Sequence, residues 1–287
     1  MSPRSRRVWS DMAELTPAKA VTVKRIRFTP APAASEGVRR WFTQPRRIAA
    51  FEEPFELGKL LMEHSWPESL DDFFVILAPT ALPSDLRNTV DLWLSPPEHP
   101  DAPLPVILTL ETGAIRWRPG RAVVECSAAS RESFLAALTG FAFFEGELRR
   151  LEQDLLPYEA SAPGDAALAY QIRQSGHAAW ERLGRTMENL SLLRLTFARL
   201  EPVLAALPRF LDREGRRAVR GLTARSGVRE RLESFSNRLE VCEDLYEGAV
   251  DRIADFRWYR KGAILEITII VLLGLEVILI TWQLLGR

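Results

Sequence analysis

LEITIIVLLGLEVILITW, residues 265–282, is the stretch on which the fold turns. Thirteen of the twenty residues from 263 to 282 are Ile, Leu or Val. On a membrane-insertion scale they contribute roughly −4 to −8 kcal/mol, against about +2.5 to +3.5 kcal/mol for an acid near the middle of a span. Trp258 and Tyr259 stand before the run and Trp282 closes it, about 36 Å apart at helical rise, where an aromatic belt belongs. The expectation is a C-terminal transmembrane helix over 262–285. Arg252, Arg257, Arg260 and Lys261 precede it and only Arg287 follows, which keeps the bulk of the chain on the cytoplasmic side of a cytoplasmic (inner) membrane. Two transmembrane acids need an explanation. Glu266 lies within about a turn of Lys261 and can pair with it or snorkel. Glu276 is deeper and calls for a polar partner in a helix bundle, a place on an ion or proton path, or protonation.

Upstream of this run the helical pattern is continuous. Val228, Leu232, Phe235, Leu239, Cys242, Tyr246, Ala249, Ile253 and Phe256 repeat with 4-3-4-3 spacing over four heptads. Such a seam packs against another helix, in the same chain or in a neighbouring subunit, and it is assigned here to an oligomer. A helix from 228 to 285 would be about 87 Å long. Two more helical runs precede it. Phe134, Leu138, Phe141, Phe144, Leu148, Leu151 and Leu155 form one stripe, which Pro157 should end. A second run starts near Asp165 and carries Leu183, Met187, Leu190, Leu193, Phe197, Leu200, Leu204 and Leu207, with Pro202 as a kink or break.

The first half reads differently. Residues 20–28 alternate, 71–78 form a short apolar run, and 104–126 hold two turn signals, Thr112-Gly113 and Pro119-Gly120, that divide three strands. Helical spacing recurs in 55–64 and in 84–94, the latter opened by Ser84. Pro-rich 95–105 reads as a loop. The fold class is therefore α+β: a small N-terminal α/β domain over 20–127, then long amphipathic helices in a coiled-coil-like bundle over 128–261, then one C-terminal transmembrane helix over 262–285. Residues 1–19 read as a disordered tail; Arg6-Arg7 has no apolar segment after it, so no export signal is expected.

Charge balances at 38 basic and 38 acidic residues, so no global field favours nucleic acid or membrane. Cys126 and Cys242 sit in apolar patterns and read as buried free thiols. His64, His99 and His177 are scattered, without metal-ligand spacing, and no phosphate-loop, dinucleotide or nucleophile-elbow motif occurs. No cofactor, metal site or catalytic residue is expected. Two charge stripes stand out. Glu243, Glu247, Asp251 and Asp255 step by four, a pattern usual on a solvated helix face but open to a partner or cation. Arg209, Arg213, Arg216, Arg217 and Arg220, followed by Arg225, Arg229 and Arg231, crowd residues 209–231; they read as a solvated linker, a mate for an acidic ridge, or a contact for RNA or anionic lipid.

The pattern Leu265-Glu266, Ile269-Ile270, Leu272-Leu273, Glu276-Val277 resembles the C-terminal signature of the "required for meiotic nuclear division" family. Arg238-Leu239-x-x-Cys242-x-x-Leu245 and residues 120–138 are similar to that family's preceding helix and its Gly-led strand and helix. Ile267 departs from the Trp that usually follows the first glutamate. The resemblance implies a membrane-anchored homo-oligomer of unknown domain function with a translation- or ribosome-related role, and it brings no catalytic residues. The expected function is thus a non-enzymatic, membrane-anchored scaffold that presents its cytoplasmic domain to a partner. Two alternatives stay open. The layout resembles CorA-type magnesium channels, although one span stands where those have two and the Gly-Met-Asn signature is missing. A membrane-tethered RNA-binding protein is the other.

Overall fold

The computed structural model describes residues 21–30, 38–63, 70–79, 82, 84–94, 104–170 and 177–285. The disordered tail expected at 1–19, most of the Pro-rich loop, His64 and His99 lie outside them. Among the described residues there are seven strands: β1 (Thr22–Pro30), β2 (Val38–Phe42), β3 (Ile48–Phe55), β4 (Asp72–Ala78), β5 (Val106–Leu110), β6 (Gly113–Arg118) and β7 (Arg121–Cys126). The helices are α1 (Leu57–Glu63), α2 (Ser84–Leu94), α3 (Arg131–Tyr170), α4 (His177–Ala206), α5 (Arg213–Arg225) and α6 (Val228–Leu285), with a 3-10 turn over Leu207–Phe210. They divide into two compact units: residues up to 154 with 195–235, and residues 155–194 with 236–287.

In the first unit the strands form one sheet in the order β2-β3-β1-β4-β7-β6-β5. Every pairing is antiparallel except β4 with β7. β4 lies at the centre and is buried on both faces, which explains why its sequence, DFFVILA, is a continuous apolar run. Alternate side chains go to opposite layers. Phe74 and Ile76 join Val23, Leu60, Val90, Trp93 and Val123 under α1 and α2. Phe73 faces the other way, 5.1 Å from the ring of Trp117, which in turn meets Phe141 of α3 edge-on at 5.1 Å. Phe28, Phe42 and Phe143 extend this layer. The two turns read from sequence join β5 to β6 and β6 to β7. Gly120 has φ 78°, the left-handed backbone that the second turn requires. At Gly113 the constraint is space: a Cβ would stand 2.3 Å from the carbonyl oxygen of Glu125.

Several expectations are corrected. Strands β2 and β3 were not anticipated. α3 does not stop at Pro157 but passes through both Pro157 and Pro163 to Tyr170, and Pro202 lies inside α4. An internal proline costs a helix about 3 kcal/mol, which α3 offsets by burying Leu155 and Ala162 beside it. The segment after the 3-10 turn is no linker: α5 is a 13-residue amphipathic helix with Gly215, Ala218, Val219 and Leu222 buried. The transmembrane helix expected over 262–285 is also overturned. Among the described residues no helix is long and apolar enough to cross a membrane. Glu266 and Glu276 interrupt the aliphatic run, and the two carboxylates erode the insertion energy that the aliphatic residues supply.

In the second unit, parts of α3, α4 and α6 pack through Leu155, Leu183, Leu190, Leu239, Cys242, Ala249 and Ile253. A polar node sits among them. The Tyr246 hydroxyl is 2.9 Å from Asp165 Oδ2 and 2.9 Å from Ser161 Oγ, while Arg182 pairs with the other Asp165 oxygen. Two arginine forks, Arg238 on Glu159 and Arg194 on Glu243, tie the rim.

Candidate functional site

Helix α5 is where sequence chemistry and geometry meet. Asp212 caps its start, accepting from Gly215 N at 2.8 Å and from Ser133 Oγ. Those two hydrogen bonds, the Ser133 one first, hold the Asp212 carboxyl below its usual range. The buried side of the helix rests on the edge strand β5, where Leu108 fills the space beside Gly221. The opposite side is set by spacing. Residues 213, 216, 217 and 220 fall at i, i+3, i+4 and i+7, which is one face, and all four arginines are exposed, as is Arg209 just ahead. Arg217 donates to Glu111 at 2.7 Å. That hydrogen bond, with Arg213 adding its charge, keeps the Glu111 carboxyl below its usual range. Arg225 donates to the carbonyl of Ile107 on β5. Phe210, between Arg209 and the helix, is 75% exposed.

A second concentration of charge is buried in α3, and sequence reading did not single it out. Arg46 forks onto Glu147 at 2.8 and 3.0 Å, and Arg150 bridges Glu147 and Asp71 at 2.8 and 2.9 Å. One turn away, Arg231 of α6 joins Glu145 and Glu152, each at 3.0 Å, and Arg149 also reaches Glu145. Burial pushes the Glu147 carboxyl up, against the pull of Arg46. The hint in the sequence was two carboxylates, Glu145 and Glu147, within an otherwise apolar helical run. Each acid is committed to a guanidinium, so the network locks elements together and leaves no free base. Beside it lies a narrow cleft lined by Phe28, Asp72, Phe73, Gly120, Glu145 and Arg149, whose two carboxylates are paired, Asp72 with Arg25 and Glu145 with Arg231. Among the described residues no group of His, Cys, Asp and Glu could hold a metal ion.

In the first unit Val228 and Phe235 of the heptad seam are buried and Leu232 is half-buried; Phe235 meets Phe197 at 5.0 Å. In the second, Leu239, Cys242, Tyr246, Ala249 and Ile253 are buried against helices of this same chain. Cys126 and Cys242 are free and buried, and burial raises both thiols. Glu243 is engaged with Arg194, whereas Glu247, Asp251 and Asp255 are exposed. Glu266 and Glu276 lie on an exposed part of α6, among eleven large apolar residues between Ile264 and Ile278 that are 48–65% exposed.

No family model and no curated protein matches the chain. Among solved structures, the CorA magnesium transporter from Methanocaldococcus jannaschii is similar at 9% identity, with 88% of this chain and 82% of that one covered and a TM-score of 0.39. The ZntB cytoplasmic domain from Vibrio parahaemolyticus is similar at 11% identity, covering 86% of this chain and 99% of that one, with a TM-score of 0.27. At those scores the likeness carries no argument about what this chain does.

Proposed function

We propose that the protein works as a CorA-like, non-enzymatic assembly of identical copies, in which the apolar end of α6 is where copies meet. The observation that carries this reading is the exposed run from Ile264 to Ile278. Its eleven large apolar side chains surround the helix instead of forming one stripe, which suits the centre of a symmetric bundle better than a one-sided dock. If roughly half of them are buried on association, at about 1.5–3 kcal/mol per side chain, the gain is on the order of 8–17 kcal/mol. Association costs about 4–15 kcal/mol, so the gain is of the size needed to offset it. Such a bundle brings one Glu276 per copy around a shared axis, and a ring of carboxylates is an arrangement that a cation can enter.

Light scattering on the full-length protein should give the mass of a multimer, and Ile270→Glu should reduce it to that of one chain. Magnesium should raise the thermal midpoint of the multimer, and Glu276→Gln should abolish that rise. A single-chain mass at every concentration overturns the assembly. A multimer indifferent to magnesium removes the cation from it.

A further inference from the structure

We infer that the exposed face of α5, with Arg209, Arg213, Arg216, Arg217 and Arg220, is a docking surface for the phosphate backbone of a nucleic acid, held without readout of bases. The whole chain is neutral, yet residues 209–231 hold eight arginines against three acids, a local excess of +5. The turn geometry of α5 places four of its five arginines on one side, with their backbones fixed by a capped helix, while Arg225 and Arg231 turn to partners elsewhere. From Arg213 to Arg220 the stripe is about 10 Å long, and Arg209 extends it.

Three features favour phosphate over other anions. All five groups are guanidinium, whose planar fork matches a phosphate in two hydrogen bonds, and none is lysine. A helix that lies in a lipid surface needs its apolar face free, and here Ala218, Val219 and Leu222 are already buried. The exposed Phe210 adds a ring on which a base can stack without being identified. No Asn or Gln stands on this face to read base edges. The second copy's acidic stripe at Glu247, Asp251 and Asp255 is the competing occupant.

The test is fluorescence anisotropy of the full-length protein with a labelled 20-nucleotide single-stranded RNA between 50 and 200 mM salt. Arg217 is held by Glu111, so the other four arginines predict a slope of about −2.8 in log affinity against log salt, which is roughly a 50-fold loss across that range. The triple variant Arg213→Gln, Arg216→Gln, Arg220→Gln should flatten the slope by about 2, to the same extent for RNAs of different sequence. Because the three side chains are exposed, its thermal midpoint and its mass by light scattering should match the parent; this separates the inference from the assembly proposed above. Salt-insensitive or absent RNA binding overturns it. So does stronger binding to phosphatidylserine vesicles than to RNA, or a triple variant whose multimer falls apart, which would assign the face to another copy.

Discussion

Replacing Tyr246 by phenylalanine deletes one oxygen and leaves the ring that fills its place. The residue is 1% exposed, and its hydroxyl donates to Asp165 Oδ2 at 2.9 Å. A hydrogen bond to a charged acceptor is worth about 1.5–3 kcal/mol. Asp165 keeps Arg182, so the loss at pH 7 should fall in the lower half of that range, about 2 kcal/mol, or roughly 4–8 °C in thermal midpoint. The pH dependence gives an independent check. Burial pushes the Tyr246 phenol up to about 12 from its ordinary value of 10.0. The unfolded phenol therefore loses its proton first, the native state holds more protons, and stability falls as pH rises from about 10 to about 12. At about 1.4 kcal/mol per unit this reaches roughly 2–3 kcal/mol. Phenylalanine has no proton to lose, so the gap between the two proteins should close over the same interval. Urea unfolding followed by circular dichroism, from pH 7 to 11.5, measures both quantities. A variant within about 0.5 kcal/mol of the parent at neutral pH, or a gap of constant width, would refute the assignment of Tyr246 as donor to a buried carboxylate.

Other expectations are simpler. Gly113→Ala would set a Cβ 2.3 Å from a backbone oxygen and 2.8 Å from Cys126 Cβ, so it should cost about 1–3 kcal/mol, read as a drop in thermal midpoint. Asp212→Ala should cost about 1 kcal/mol through the lost cap of α5. Because the folded carboxyl titrates below its ordinary value, that contribution is present above about pH 4 and lost as pH falls through the folded value; parent and variant should converge in acid. Cys126 and Cys242 are buried with raised thiols, so an aromatic disulfide reagent at pH 8 should label neither in the native protein and both in urea.

What could be read beforehand depended on whether the signal was local. The strands of 104–126 announced themselves through two glycine turns, and the heptad from Val228 needed nothing beyond its own spacing. β3 was hidden by Pro54, which argues against a strand interior. β2 pairs only with residues 48–51 of β3, so beyond that point one side of the strand has no neighbour to require the missing N–H. Pro157 misled for a related reason: its cost is local, while the packing that offsets it comes from elsewhere in the fold. α5 was legible as charge but not as a helix, since a few small apolar residues had to be weighed against many arginines. Aliphatic content and the flanking aromatics made residues 263–282 a span, with too little weight given to Glu266 and Glu276, which interrupt it. The Arg46–Glu147 pair joins residues 101 positions apart, and no periodicity encodes that.

The order of the sheet leaves β2 and β5 at its margins, and open margins invite strand addition between molecules. β2 is five residues long, shifts register between Val38 and Arg40, and carries Arg39 and Arg40. β5 has α5 resting on it, with the Arg225 guanidinium on the Ile107 carbonyl. A bulged, charged strand and a guarded one are poor templates for a cross-β polymer. The two margins of the sheet are thereby poor starting points for fibrils of this chain.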